Sequence, residues 1–178
     1  MLCHPERSEG SQYFAVSSTL FRHRVQYVKL HLAAISPARS RAKSSALDTL
    51  FADYTTRIAR YYPCDSHLFA SESALFAFAD RSSARTPLHI VLLDSTGKQF
   101  TSSAFAAHLG ALRDRGAQQL LFAIGPADGW SAAARTRADL LLSLGAITLP
   151  HELARIVLAE QLYRACTILA GHPYHSGH

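Results

Sequence analysis

The sequence is poor in cysteine and has no long hydrophobic run. Its three cysteines, Cys3, Cys64 and Cys166, are odd in number and share no metal-ligand spacing, so we expect reduced thiols in a cytoplasmic protein. No apolar run approaches the roughly 20 residues that span a bilayer, and the N-terminus lacks the pattern of a signal peptide. These absences predict a cytoplasmic chain without a membrane partner.

Charged residues are also scarce, at 17% of the 178 residues, while 48% are hydrophobic. That balance is typical of one folded domain with a real core and excludes a disordered chain. Lysine and arginine outnumber aspartate and glutamate by 18 to 13, which gives a net charge of +5. A mildly basic protein permits a polyanionic partner such as nucleic acid, but many enzymes without one carry similar charge.

Common nucleotide-binding signatures and internal repeats are missing as well. The chain has neither a GxGxxG nor a Walker sequence, which argues against a dinucleotide or an NTP as ligand. Residues 1–27 have neither helical nor alternating periodicity. We therefore expect a dispensable N-terminal extension at 1–27, disordered or the product of a mis-annotated start, before a single domain at 28–178.

From residue 28 onward, strand patterns alternate with helix patterns. Polar and apolar residues alternate over 29–35, as in a strand, and the runs 89–93 and 120–124 are continuously apolar. Continuous apolar runs of this length are typical of strands buried on both faces of a parallel sheet. Residues 64–87 are expected to hold one further strand and one further helix.

The helix patterns lie between these strands. Apolar residues at helical spacing predict helices at 47–58 and at 105–116, another that opens at Ser131 and closes at Gly145, and a last one over 151–170. A short β-prone run at 146–149 precedes the last helix. Strands that alternate with helices predict an α/β fold with crossover connections and a parallel sheet flanked by helices.

Three segments near predicted strand ends are candidates for ligand binding. The loop from Gly125 to Gly129 follows a buried strand, where open α/β sheets bind ligands, and its glycines allow a tight turn and a close approach. An ordinary βα turn has the same composition. Leu93, at the end of an apolar run, is by its pattern alone a core leucine. Residues 144–149 are either the last core strand or a loop that binds a ligand through main-chain atoms.

The last helix and the tail after it carry the remaining candidates. The helix is apolar nearly all round, which predicts burial on more than one side and, in a domain this small, a homodimer. Glu160 and Arg164 stand at i, i+4 and predict an intrahelical ion pair, whereas Arg155 on the opposite face is available to RNA phosphate or substrate. The tail histidines, His172 and His175, are too few for a metal site, so we predict no metal.

The C-terminal residues resemble the signature of the bacterial ribosomal RNA large subunit methyltransferase H family, of the SPOUT class. That family has a Leu-Thr-Leu-Pro-His loop, an Arg-Val-Leu-x-Glu-x-Leu-Tyr-Arg-Ala helix and a His-Pro-Tyr-His end. The corresponding segments here run from Ile147 to His151, from Arg155 to Ala165 and from His172 to His175. So long an ordered match is far more specific than a short motif.

The resemblance implies a SPOUT-type α/β knot, with a parallel sheet flanked by helices and a C-terminal trefoil knot. It implies methylation of N3 of a pseudouridine in 23S rRNA by a homodimer that acts on the ribosome, with S-adenosyl-L-methionine as the cofactor and no metal. The residues that correspond to the family's cofactor site are Leu93, Gly125, Leu144, Gly145, Ala146, Ile147, Thr148 and Leu149. Pro126 stands where the family has a second glycine.

The resemblance leaves the catalytic base open. N3 of the base must lose its proton, which His151, His172 or His175 could accept, while Arg155 could stabilise the anion. The alternative hypothesis is a non-catalytic RNA- or ribosome-binding module on a decayed methyltransferase scaffold. Cofactor binding distinguishes the two.

Overall fold

The computed structural model describes residues 28–36 and 46–175. Within them, five strands form one sheet in the order β2-β1-β4-β3-β5, and every pairing is parallel. The strands are β1 (Lys29–Ile35), β2 (Cys64–Phe69), β3 (Leu88–Gln99), β4 (Gln119–Ile124) and β5 (Leu140–Ser143). The parallel sheet predicted from the continuous apolar runs is confirmed.

Helices cover both faces of this sheet. One face carries α1 (Ala46–Ile58), α3 (Ser102–Asp114) and α5 (His151–Leu169), and the other carries α2 (Glu72–Ser83) and α4 (Ala132–Thr136). Each face has its own apolar core, and a 3₁₀ turn, Pro173–His175, follows α5. The α/β fold class is confirmed, and the predicted strand and helix within 64–87 are β2 and α2. The trefoil knot stays a prediction.

The helix predicted between Ser131 and Gly145 is wrong. Ser131 does cap a helix, since its hydroxyl accepts a hydrogen bond from the backbone N–H of Ala134, but α4 ends after five residues and β5 follows. The Asp139 N–H donates to the Ile90 carbonyl (2.8 Å), and the Asp139 carboxylate accepts from the Ile90 N–H (2.7 Å). These two bonds draw the chain alongside β3, where the leucines of β5 complete the sheet.

The β-prone run at 146–149 is not a strand either. It belongs to the loop between β5 and α5, and the Ile147 side chain is 82% exposed. A strand here would have to extend β5, but Gly145, at φ +138°, turns the chain out of the sheet.

β3 is longer than its apolar run because it contains a bulge. Leu93 and Lys98 both pair with Leu142 of β5, so residues 94–97 loop out of the ladder. Gly97 closes the bulge so near to β5 that an added Cβ would lie 2.6 Å from the Leu141 carbonyl carbon. Only glycine fits there without a shift of the backbone.

α5 packs against both α1 and α3 over the sheet. Leu158, Leu162 and Cys166 are buried along it, so much of its all-round apolar character is satisfied within one chain. Cys64 and Cys166 are free, and burial raises the pKa of each thiol to about 12. Of the helices that the structure describes, none is long and apolar enough to cross a membrane. Cys3 and the predicted extension at 1–27 lie outside the described residues.

Candidate functional site

A cavity of about 430 Å³ opens at the carboxyl ends of β3, β4 and β5, and we call it the strand-end cavity. These three strands are neighbours in the sheet, with Leu93 of β3 opposite both Ile124 of β4 and Leu142 of β5. All the predicted cofactor residues except Ala146 line it, namely Leu93, Gly125, Leu144, Gly145, Ile147, Thr148 and Leu149. Three segments spread over residues 93–149 therefore meet where parallel sheets bind ligands.

Trp130 holds one wall of the strand-end cavity in place. Its indole N–H donates a 2.8 Å hydrogen bond to the Leu93 carbonyl, and the residue is buried. A Cβ added to Gly125 would lie 2.9 Å from the indole Cε2. Gly125 is thus required by the ring that packs on it, whether or not a ligand also approaches. The sequence signal was available, since the only tryptophan of the chain follows directly after the glycine-containing loop.

The loop between Gly125 and Trp130 accommodates its proline. The Pro126 carbonyl accepts a 3.0 Å hydrogen bond from the Gly129 N–H, which closes a turn, and Gly129 has a φ of +81° that favours glycine. The turn uses the carbonyl of Pro126 and needs no N–H from it. The replacement of the family's second glycine is therefore compatible with an ordered loop here.

The opposite wall is the loop that leaves β5. The Ser143 hydroxyl donates to the Gly145 carbonyl (3.0 Å) and accepts from the Gly145 N–H (3.2 Å), which pins the start of the loop. This loop ends at Pro150, and within the part of the chain that the structure describes no side chain caps the N-terminus of α5. The first N–H groups of α5 therefore add a partial positive charge at the end of this wall.

A buried carboxylate, Asp94, lies at the rim of β3 and lines the strand-end cavity. Its side chain is 2% exposed, accepts hydrogen bonds from the N–H (2.8 Å) and hydroxyl (2.7 Å) of Thr96, and pairs with Arg135 Nε at 3.0 Å. Burial alone would raise the pKa of Asp94, but the Thr96 hydrogen bonds and the Arg135 charge outweigh it and hold the pKa below its ordinary value. Asp94 is therefore an ionised group at neutral pH. Sequence reasoning missed it, although an acidic residue directly after a buried strand was a usable signal.

Among the predicted catalytic residues whose side chains the structure describes, only His151 lines the strand-end cavity. It is the first residue of α5, and its Nε2 atom is buried without a hydrogen-bond partner among the described residues. Buried polar atoms are nearly always paired in folded proteins. An unpaired ring nitrogen beside a cavity is consistent with a partner supplied by a ligand.

Arg155 lies one turn further along α5 and lines a neighbouring cavity with Phe51 and Asp48. Its side chain is only 11% exposed, bonds to Glu152 at 2.6 Å, lies 3.6 Å from Asp48 and stacks over Phe51 at 4.4 Å. A phosphate that bound Arg155 would have to displace these carboxylates. The pair predicted between Glu160 and Arg164 is confirmed at 2.7 Å.

The tail lies at the other end of α5. Tyr174 packs edge-to-face on Tyr163 (4.9 Å between centroids), and Arg164 lies over its ring at 5.1 Å. The 19 residues of α5 separate His151 from this tail by about 28 Å, at 1.5 Å per residue. Within one chain, His172 and His175 are therefore not brought together with His151.

Comparison with known proteins identifies relatives of this chain. A family model described as a predicted SPOUT methyltransferase matches residues 28–175. The ribosomal RNA large subunit methyltransferase H of Koribacter versatilis is 49% identical over 138 residues, which cover 78% of this chain and 94% of that protein. The protein of the same name from Brucella anthropi is 60% identical over 86 residues, 48% of this chain and 54% of that protein.

A solved structure supports the fold. A probable methylase family protein from Haemophilus influenzae superposes with a TM-score of 0.51, at 8% sequence identity, over 82% of this chain and 70% of that one. At this identity the likeness concerns the fold alone.

The contact between Gly125 and Trp130 generates a prediction about stability. Gly125→Ala should lower the free energy of unfolding by about 1–3 kcal/mol, because the added methyl group overlaps the indole. The same substitution should cost much less in a Trp130→Leu background, where the ring is absent. Urea unfolding of the two single variants and the double variant measures this coupling. If Gly125→Ala lowered the free energy of unfolding equally in both backgrounds, the Trp130 ring would not be the reason that this position requires glycine.

Proposed function

The chain belongs to the SPOUT methyltransferase family and, within it, to the ribosomal RNA large subunit methyltransferase H group. On this premise we propose that it methylates N3 of a pseudouridine in 23S rRNA. The methyl donor is S-adenosyl-L-methionine, and the substrate is the large subunit or the assembled ribosome in the cytoplasm. The observation that carries the proposal is the strand-end cavity, which gathers the family's cofactor positions from three separate strand ends.

The residues of the strand-end cavity fit this cofactor. About 430 Å³ lies within the range of small-molecule sites, and the walls are mostly apolar with a few polar groups. The cofactor carries both a sulfonium cation and a carboxylate, and the cavity presents one charge of each sign in the ion pair of Asp94 with Arg135, both of which line it. The loop at 144–149 offers main-chain groups to the adenosine part, and the unpaired Nε2 of His151 offers a further polar contact.

The bound cofactor supplies an activated methyl group on sulfur, so the protein has to orient the substrate and remove one proton. Leu93 and Leu149, both half-buried, provide apolar walls that exclude water from part of the cavity. His151 is our candidate for the group that accepts the N3 proton, since the residue lines the cavity and its buried Nε2 has no hydrogen-bond partner among the described residues. Arg155 is our candidate for a contact to RNA, reached by exchange of its present carboxylate partners.

We further propose that the active unit is a homodimer in which each tail completes the partner's cavity. Leu153 and Ile147 are 41% and 82% exposed near the cavity end of α5, an apolar surface that a second chain would cover. The distance of about 28 Å along α5 keeps the tail of a chain away from its own cavity. In a dimer whose two-fold axis makes the two α5 helices antiparallel, the tail of each chain would lie beside the cavity of its partner.

Cofactor binding is the first test. Ala154 lines the strand-end cavity from α5, so Ala154→Leu should fill part of it and weaken S-adenosylmethionine binding at least about tenfold, or 1.4 kcal/mol. The matched control is Ala107→Leu, an alanine on the exposed side of α3. Calorimetric titration of both variants and the wild type measures the difference. A wild-type chain that binds no cofactor would support the non-catalytic module instead.

Methyl transfer is the second test. The wild-type chain and labelled S-adenosylmethionine should methylate large-subunit RNA in ribosomes that lack this modification, and Ala154→Leu should be slower in proportion to its lost affinity. Mass spectrometry of the digested RNA should identify the product as 3-methylpseudouridine. If the product were a methylated uridine or a methylated ribose, the chain would still be a methyltransferase, but the proposed target atom would be wrong.

The shared site predicts complementation between a variant with weakened cofactor binding and a variant without the tail, both assayed at a cofactor concentration well below the wild-type dissociation constant. One carries Ala154→Leu, and the other ends after Gly171. After subunit exchange, half of the dimers should be mixed, and each mixed dimer should have one intact cavity that receives an intact tail. Methylation should then recover to about a quarter of the wild-type rate if subunits pair randomly. No recovery despite proven exchange would assign tail and cavity to the same chain, and a monomer in sedimentation would remove the dimer altogether.

A further inference from the structure

A second cluster of ligand-type side chains lies on β1 and on the edge strand β2. His31 Nδ1 lies 3.0 Å from His67 Nε2, and one carboxylate oxygen of Asp65 lies within 4.8 Å of a ring nitrogen of each histidine. None of the three residues lines the strand-end cavity. Two imidazoles and one carboxylate are a ligand set that proteins use for zinc and for related divalent transition metals.

The sheet register brings these residues to one face. His31 is the direct partner of Asp65 in the parallel pairing of β1 with β2, and His67 follows Asp65 by two residues. Side chains two residues apart on a strand point to the same side. The cluster is therefore set by backbone pairing. The two histidines are 36 residues apart in sequence and form no motif, so sequence alone predicted no metal here.

A neighbouring amide fixes which nitrogen of His31 carries the proton and which has the lone pair. Gln119 donates through its Nε2 to the Thr86 carbonyl (3.0 Å), so its Oε1 faces His31 Nε2 at 3.2 Å. His31 Nε2 therefore carries the proton, and its Nδ1 directs a lone pair toward His67. Metal-bound histidines are typically oriented in this way, by a hydrogen bond from the second ring nitrogen to an oxygen.

The two imidazoles are also held and neutral. His31 is buried, and the His67 ring stacks on Phe69 (5.9 Å) and contacts Phe78 (4.6 Å). Burial is the main cause that lowers the pKa of both histidines, so that neither is protonated at neutral pH. Neutral imidazole is the form that binds metal.

We propose that His31, His67 and Asp65 form a site for one divalent transition-metal ion, best matched by Zn²⁺, with water in the fourth position. Zn–N bonds of about 2.0–2.1 Å in tetrahedral geometry put two nitrogens about 3.3 Å apart, close to the 3.0 Å found here. Asp65 is on the exposed side of the cluster, so it can rotate to the ion and the ion can enter there.

Lys29 competes with the metal for Asp65. Its Nζ lies 2.6 Å from Asp65 Oδ2, and both side chains are nearly half exposed, so the pair exchanges readily with water. An ion that takes Asp65 as a ligand displaces this ammonium group. Removing the lysine charge should therefore strengthen metal binding, an effect that a simple hydrogen-bonded histidine pair would not produce.

The test is a Zn²⁺ titration of the full chain without an affinity tag, by calorimetry and by the shift in melting temperature. We expect one tight zinc per chain and a higher melting temperature with zinc. His67→Phe and Asp65→Asn should each weaken the affinity at least about tenfold, whereas Lys29→Met should strengthen it several-fold. The matched control is His108→Phe, another half-buried histidine that packs on a phenylalanine ring, which should leave zinc affinity unchanged.

Co²⁺ provides a second readout, since its visible spectrum reports low coordination number and nitrogen ligands. The spectrum should disappear in Asp65→Asn, whose exposed position removes loss of folding as an explanation. Zinc affinity that survives in both His67→Phe and Asp65→Asn would overturn the proposal. So would affinity that is lost instead when His172 and His175 are replaced by glutamine, or a wild-type chain that binds no zinc.

Discussion

The indole of Trp130 is the contact on which the candidate active site depends. It donates to the carbonyl of Leu93, directly before the bulge of β3, while its ring lies against Gly125 at the end of β4. One buried aromatic side chain therefore fixes the relative positions of two neighbouring strand ends through both packing and a hydrogen bond. The cavity wall that they form is set before any ligand arrives, and preorganisation of this kind lowers the cost of binding.

The bulge in β3 brings a charged side chain, Asp94, to the cavity. Because Leu93 and Lys98 share one partner on β5, the strand has to leave the ladder between them, and Asp94 is carried to the cavity rim. A buried carboxylate is costly unless it is paired, and Thr96 and Arg135 provide the pairing. The ion pair of Asp94 with Arg135 is therefore a stable part of the fold, and both of its members line the cavity.

The sequence predicts most of this fold but not the contacts that shape the site. The strands predicted from continuous apolar runs are confirmed, because a strand that is buried on both faces needs apolar residues at successive positions. The helix predicted over residues 131–145 is wrong because three successive leucines suit a helix or a strand equally well. The strand is selected by the hydrogen bond between Asp139 and Ile90, which is 49 residues away in sequence. Trp130 was missed for a related reason, since its partner Leu93 is 37 residues distant. The cofactor positions came from resemblance, which carries long-range information that periodicity lacks.

The geometry of α5 constrains how the predicted catalytic residues can act together. Its first residue is His151, in the cavity, and its last turns hold the tail through Tyr174, which contacts Tyr163 and Glu160. Packing against α1 and α3 along its length leaves no hinge between these ends. A rigid rod of about 28 Å cannot bring its two ends to one substrate atom. If the tail histidines act at the reacting base, a second chain must deliver them, and the exposed apolar surface at the cavity end of α5 is where that chain would dock.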